Sequence, residues 1–517
     1  MLQISWFHLV LIILLFLFPL ILWKKRSFKT SNYYKLPPGP WKFPLIGNLH
    51  QLALSSSSSL PHRSLRDLSK KYGPVMKLHF GEVLTVVISS PEAAKEVLHT
   101  HELVFAQRPL TLGLEAMSFD HPGGLVSSPY GEYWRQMRKI CVVELLSPKR
   151  VMSFRSVREE QVWSLIESIF MSRKSNSSLI AINFSEMIIS MTIATISTVV
   201  YGKKCKGHDE YVSSLKELLT FSTGFTLADC FPSVKLLAHV TGIKAALKRI
   251  RQKISKILDA IVDEHKEKIK HTRVTTDETS EEDDLLDVLL RLQQSSELKF
   301  GLTTNHIKTV IMDIVGAGGE TTATALEWAM SEVIRNPRVL EKAQAEVRNA
   351  LEGKVKIKEV DVQKLHYLEC VIKETLRLHP PAPLLGRESR ERCQILGFDI
   401  PYKTKIVINA WALGRDPGIW DNADCFEPER FLDSSVDLKG TDFEFVPFGA
   451  GRRMCPGIPF SFPNMELVLA QLLYHFDWQL PNGGKMEELD MSEEYKVSCR
   501  RRNDLYLVAT PVMPFIN

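Results

Sequence analysis

A mainly α fold with a minor β portion follows from three features of the sequence. Apolar residues recur at helical spacing through most of the chain, only four short stretches have strand character, and one helical segment is long enough to cross an entire domain. The strand candidates are Val75 to Phe80, Leu84 to Ser89, Lys405 to Ala410 and Leu505 to Ala509. At 517 residues, 44% of them hydrophobic, the chain can bury a large core, or two lobes, without disulfides.

From the N-terminus, Ile4 to Trp23 is an almost unbroken apolar run, about the ~20 residues that a helix needs to span a bilayer. Lys24, Lys25, Arg26 and Lys29 follow it. No positive charge precedes the run and no small-residue cleavage site ends it, which favours an uncleaved anchor over a signal peptide. The basic cluster on its C-terminal side orients the rest of the chain toward the cytosol, leaving the sequons at Asn176 and Asn183 unglycosylated. The expected organisation is a transmembrane anchor over residues 1–23, a basic and proline-rich hinge over 24–44, and a cytosolic domain over 45–517. Pro37, Pro38, Pro40 and Pro44 stiffen the hinge. Ser55 to Ser59 reads as a loop tip and Thr275 to Asp284 as a solvated connection.

The net charge of +5 comes from lysines and arginines spread through the chain, which excludes a dedicated nucleic-acid binder. The eight cysteines form no CxxC pair and suit a reducing compartment better than a disulfide framework.

The longest helix is expected from near Thr303 to before Pro337, roughly 50 Å at 1.5 Å per residue, so it crosses the core. Gly316, Gly318 and Gly319 lie in its middle, each costing about 1 kcal/mol relative to alanine. Ile307, Ile311, Ile314, Ala317, Gly318, Thr321 and Ala325 share one face, apolar at first and then nearly bare. Room for a flat ligand and close helix packing both account for the glycines. A second helix covers Leu365 to Leu378, with Pro380 and Pro381 beyond its end. Glu374 and Arg377 stand one turn apart on it, a spacing that by itself most often marks a solvated ion pair.

Between Phe445 and Gly457 a single cysteine follows a glycine-rich turn. Pro456 comes next, and proline prefers the first position of a helix, which places Cys455 at an N-cap where backbone N–H groups and the dipole favour a thiolate. Arg452 and Arg453 beside it are expected to lower its pKa further. Gly449 and Gly451 let the backbone approach a large planar group, and Phe448 offers that group an aromatic face.

With these residues in hand, the sequence resembles a cytochrome P-450 of the plant microsomal type. Phe448, Gly451, Arg453, Cys455 and Gly457 match that family's haem-binding signature. The likeness extends over essentially the whole chain, through the anchor, the hinge, Trp134 with Arg138, the glycine-rich helix, Glu374 with Arg377, and Pro428-Glu429-Arg430-Phe431. It implies the cytochrome P-450 fold, with haem between the long central helix and the loop carrying Cys455 as axial ligand to the iron. It further implies that Arg430 folds onto the Glu374–Arg377 pair behind the cysteine loop, and that Trp134, Arg138, Arg387 and Arg453 face the haem propionates. The family's acid–alcohol pair, which relays protons on the distal helix, corresponds to Glu320 and Thr321; a back-bonded threonine and a paired core glutamate are the structural alternatives. Pro459 and Pro463 depart from the family's pattern, because Pro463 would break a helix begun at Pro456.

By the same resemblance the substrate wall comes from Val104 to Val126, Ile314 to Thr321, Ala382 to Leu385 and the segment around Val497. Leu112, Met117, Phe119, Ile314, Ala317, Gly318, Leu384, Leu385 and Val497 are its expected members. The implied protein sits in the endoplasmic reticulum membrane and takes electrons from NADPH through a separate NADPH-cytochrome P-450 reductase, since the chain has no flavin or nicotinamide fingerprint. Arg452 and nearby lysines are candidates for that docking face. With dioxygen it would oxidise a lipophilic plant metabolite; the apolar wall suits a mostly hydrocarbon substrate, and the resemblance to plant relatives that oxidise terpenes implies a sesquiterpene or diterpene. An alkaloid or flavonoid, and a haem-thiolate isomerase or dehydratase needing no reductase, are the alternatives.

Overall fold

A computed structural model of the chain describes residues 35–53, 60–119, 123–174, 181–202, 207–221, 226–272, 283–295 and 301–512. The expected anchor, the basic part of the hinge, the Asn176 sequon, the Ser55 to Ser59 tip and most of the Thr275 to Asp284 connection lie outside the described residues.

The elements that build the site are, in chain order, β1 (Val75–Phe80), β2 (Val83–Ile88), α1 (Glu132–Lys139), α2 (Phe184–Tyr201), α3 (Thr304–Arg335), α4 (His366–Leu378), β3 (Leu384–Glu388), β4 (Lys405–Asn409), α5 (Ile458–His475), β5 (Glu493–Tyr495), β6 (Cys499–Arg501) and β7 (Tyr506–Pro511). The main sheet has the order β1-β2-β4-β3. β2 runs parallel to β4 through Val87↔Val407, and β4 runs antiparallel to β3 through Arg387↔Ile406. The last three residues of β2, Val86, Val87 and Ile88, are fully buried, so this sheet anchors one side of the molecule.

The long helix α3 is set by a capping box: Thr303 Oγ1 accepts from the His306 N–H at 3.1 Å, and His306 Nδ1 accepts from the Thr303 N–H at 3.2 Å. Pro337 starts the next helix and fixes its end. α3 is buried over most of its length, and Ile307, Ile311, Leu326, Trp328 and Val333 have no exposed surface. It packs against α2. A Cβ on Gly318 would come within 3.2 Å of Ile196, and one on Gly319 within 3.0 Å of Ile193. The glycines therefore serve close helix packing as well as the bare face. α2 is long and apolar enough to cross a membrane, but 61% of that window is buried, as in a core helix. Asn183 caps it, its side-chain oxygen accepting from the Glu186 N–H at 3.1 Å.

Two expectations about the last long helix are corrected. α5 begins at Ile458 with Gly457 at the N-cap, not at Pro456, and it continues through Pro463. Pro459 lies in its first turn, where a missing N–H is harmless. Pro463 removes only the bond to the Pro459 carbonyl, near an end where packing carries the helix. Short strands such as β3, β5 and β6 lie outside the four sequence candidates, because three to five residues are too few for an alternating pattern to stand out.

Candidate active site

The turn before α5 is closed by its own backbone: the Cys455 N–H donates to the Phe448 carbonyl at 3.0 Å and the Gly449 N–H to the Val446 carbonyl at 3.0 Å. Gly449 and Gly451 have φ of 68° and 65°, a region that side chains rarely adopt. Their roles differ from the expected one. A Cβ on Gly451 would lie 2.1 Å from the Leu98 carbonyl, so this glycine answers to packing beneath the turn and is not among the cavity-lining residues. Gly449 does line the cavity, and a Cβ there would stand 3.7 Å from the Arg387 guanidinium.

Above the turn lies a cavity of about 350 Å³. Phe448, Gly449, Met454 and Cys455 form its floor, Ile314, Ala317, Gly318, Thr321 and Ala325 of α3 its roof, and Ala382, Leu384 and Leu385 a side wall. Leu112, Met117, Phe119 and Val497 are not among its lining residues, which departs from the expected wall. Met117 and Phe119 are buried in the core, and Lys308 stands 4.8 Å over the Phe119 ring. Leu112 and Val497 are partly buried against the same cluster.

Cys455 is exposed onto this cavity. It is not an N-cap; instead the Gly457 N–H donates to its sulfur at 3.3 Å. Burial pushes the thiol up, against the pull of that N–H and of Arg138 and Arg108. The neighbouring arginines do not act as expected: Arg452 pairs with Glu102 at 2.9 Å, and Arg453 donates to the Ala106, Leu125 and Ser128 carbonyls.

At one edge of the cavity, Arg108, Arg138, Arg387 and Arg453 converge beside Trp134. Trp134 stands 4.2 Å from the Arg453 guanidinium, and its Nε1–H donates to the Leu125 carbonyl at 3.0 Å. Burial, then Arg108 and Arg453, hold the Arg387 guanidinium well below its ordinary range. Its Nη1–H donates to the Gly386 carbonyl at 2.9 Å, and Arg108 Nε is buried without a hydrogen-bond partner among the described residues. Four guanidiniums around one lobe form a cradle for carboxylates of a ligand. With a sulfur on the floor and an apolar roof, this donor set fits a haem. Arg108 escaped the sequence reading, although a lone arginine after the apolar Phe105-Ala106 was a usable signal. If the cradle holds propionates, Arg387→Leu and Arg108→Leu will each lose about 1.5–3 kcal/mol of charge-assisted bonding. Haem transfer to apomyoglobin should then be roughly ten- to a hundredfold faster; an unchanged rate would show that the cradle serves something else.

On the roof, the Thr321 hydroxyl donates to the Ala317 carbonyl at 2.6 Å, the back-bonded arrangement. Glu320 is not among the cavity-lining residues. Burial raises its carboxyl, opposed by Arg500, Lys216, Ser498 and Lys496. A second carboxyl was missed in the sequence: Asp313 lines the cavity, accepts from the Val126 N–H at 3.1 Å, and is pushed up to about 7 by burial. A lone aspartate in an apolar helix gave little sign of this.

Behind the turn, Glu374 is fully buried and accepts from Arg377 at 2.6 and 2.7 Å, from Arg430 at 3.0 Å and from the Glu427 N–H at 2.8 Å. Arg377 also donates to the Gly414, Ala423 and Cys425 carbonyls. The pair is thus an interior knot that binds the 414–430 segment. That segment reaches the cysteine turn through Phe431, whose ring lies 5.3 Å from Phe445.

Comparison with known proteins gives this geometry a family. The cytochrome P-450 family model matches residues 37–508. Melianol synthase of Ailanthus altissima is 52% identical over 97% of this chain and 95% of its own length. Melianol synthase of Citrus sinensis is 50% identical over all of this chain and 98% of its own. Desmethyl-deoxy-podophyllotoxin synthase of Sinopodophyllum hexandrum is 50% identical over 97% and 96%. With its cysteine turn beneath a glycine-bearing helix and a family match across nearly the whole described region, this chain belongs to the cytochrome P-450 family and is a monooxygenase of the plant type.

Proposed function

We propose that this chain oxidises a terpenoid in the endoplasmic reticulum membrane, with electrons passed from NADPH by a separate cytochrome P-450 reductase. Cys455 is the axial ligand in this reading, and Trp134, Arg138, Arg387 and Arg453, joined by Arg108, face the propionates. The observation that carries it is the cavity itself: Cys455 lies on the floor, and the roof and side wall are built from Ile314, Ala317, Ala325, Ala382, Leu384 and Leu385. Such a wall selects hydrocarbon by burial, at about 25 cal/mol per Å² of apolar surface. Two of the relatives are named as melianol synthases, and the nearly all-hydrocarbon wall favours a terpenoid over the more polar alkaloid and flavonoid alternatives.

Thiolate-ligated haem supplies dioxygen activation, the sulfur pushing electron density that favours O–O cleavage. The chain's own residues hold the substrate and manage protons. Thr321 presents a hydroxyl on the cavity roof, and Glu320, one residue before it, keeps a raised carboxyl beside the basic Lys496 and Arg500. Burial favours the protonated form of that carboxyl, and a carboxylic acid beside a proton path can pass its proton to a neighbouring hydroxyl. Thr321→Ala and Glu320→Gln should each lower product formed per NADPH consumed by roughly a hundredfold, the low end of what a positioned proton-transfer group contributes, while leaving substrate binding within severalfold of the parent. Equal coupling in all three proteins would remove both from the proton relay. This pair also disfavours the isomerase or dehydratase alternative, which needs no proton delivery for oxygen cleavage.

The test is turnover in membranes containing a reductase, with panels of terpene, alkaloid and flavonoid scaffolds and mass-spectrometric detection. A terpenoid product that requires NADPH supports the proposal. Oxidation only of alkaloids or flavonoids, or product without NADPH, overturns it.

A further inference from the structure

His379 ends α4, two residues before the cavity-lining Pro381 and Ala382, and is buried. Its ring is held on three sides. Trp328 of α3 stacks on it, centroids 4.0 Å apart and planes at 7°. Nε2 lies 2.7 Å from Glu332, one turn further along α3. Nδ1 faces Glu493 of β5 at 3.7 Å, too long for a hydrogen bond but close enough for a carboxylate to act on the ring. Glu493 is fixed in turn by His62 at 3.1 Å and Arg63 at 2.8 Å.

The same place ties the hairpin β5–β6 down. Trp328 Nε1–H donates to the Cys499 carbonyl at 2.9 Å, the Cys499 N–H donates to the Pro381 carbonyl at 2.8 Å, and Arg501 donates to Ser331 at 3.1 Å. Three pieces of the distal side therefore meet around the Trp328–His379 stack: the roof helix α3, the wall that begins two residues on at Pro381, and the hairpin, held through Glu493 and Cys499, whose tip carries Ser498 next to Glu320. A buried polar group with specific partners fixes one arrangement where apolar packing would tolerate several.

We infer that His379 is a positioning residue: by joining Glu332 and Trp328 of the roof helix to the Pro381–Ala382 wall, it sets where open space lies above the haem and so which carbon of the substrate is presented. The inference rests on haem binding over Cys455 and is independent of the terpenoid reading. Sequence inspection gave no hint of it, because its partners are 47 to 114 positions away.

The test uses phenyldiazene on the full-length, haem-loaded protein. This probe places a phenyl group on the iron, and oxidation then moves it to whichever pyrrole nitrogens have free space above them. The ratio of N-phenyl isomers thus maps the cavity without any substrate. His379→Phe keeps a ring on Trp328 and loses the bond to Glu332; Glu332→Gln weakens the same link from the other side; His379→Gln restores a donor without the stack. The isomer ratio is expected to change at least threefold in His379→Phe and in the same direction in Glu332→Gln, with His379→Gln between them and the parent. Haem content and the carbon monoxide spectrum should stay as in the parent. Parental isomer ratios in all variants that load haem would overturn the inference. A parent protein that forms no phenyl–iron complex would overturn the haem reading beneath it, a separate outcome.

Discussion

Replacing Glu374 by alanine is expected to leave little folded, haem-loaded protein. The carboxylate has no exposed surface and receives Arg377, Arg430 and the Glu427 N–H together. Without it the Arg377 guanidinium is left in the interior with the Gly414, Ala423 and Cys425 carbonyls, and Arg430 with the Glu427 carboxylate at 3.3 Å. Breaking a buried pair in this way costs about 3–5 kcal/mol, against a total stability of roughly 5–15 kcal/mol. Arg377→Lys should be nearly as damaging, since an ammonium cannot span the carboxylate and the Gly414, Ala423 and Cys425 carbonyls at once. Thermal unfolding and haem content measured side by side check this. A Glu374→Ala protein that melts like the parent would mean that the knot does not hold the 414–430 segment.

The second large effect concerns Cys455→Ser. Serine keeps the size of the side chain and its place in the turn, so the Phe448 carbonyl still receives the backbone N–H and the fold should survive. The sulfur is lost, and with it the electron push that a thiolate supplies. NADPH-supported product formation should fall by more than about a hundredfold, beyond the 10–100-fold typical of losing an outer-shell partner of a metal ligand. Parental turnover in this variant would remove Cys455 from the chemistry.

Much of this site could be read from the chain because its chemistry is local. A cysteine after a glycine-rich turn, a run of glycines in a long helix, and Glu374 one turn from Arg377 each occupy a few consecutive positions. The cap at Thr303 and the stop at Pro337 are local too, and the helix runs from Thr304 to Arg335. The rest depends on distance in sequence. Which arginines feel the Cys455 sulfur is decided by the 108 and 138 positions, brought in by another part of the fold, and not by its neighbours 452 and 453. Whether Phe119 or Leu385 faces the cavity depends on side-chain direction within loops and short strands, which carry no periodicity. α5 starts two residues later than the sequence predicts because Pro456 and Pro459 both satisfy the preference for proline in a first helical turn.

X-ray absorption at the iron edge of the purified full-length protein tests the central claim most directly, since it reports the iron's ligands whatever the substrate. One sulfur neighbour in the parent, lost in Cys455→Ser while iron stays bound, is the predicted result. A parent spectrum with nitrogen and oxygen neighbours only, or a sulfur neighbour that persists in Cys455→Ser, would contradict it.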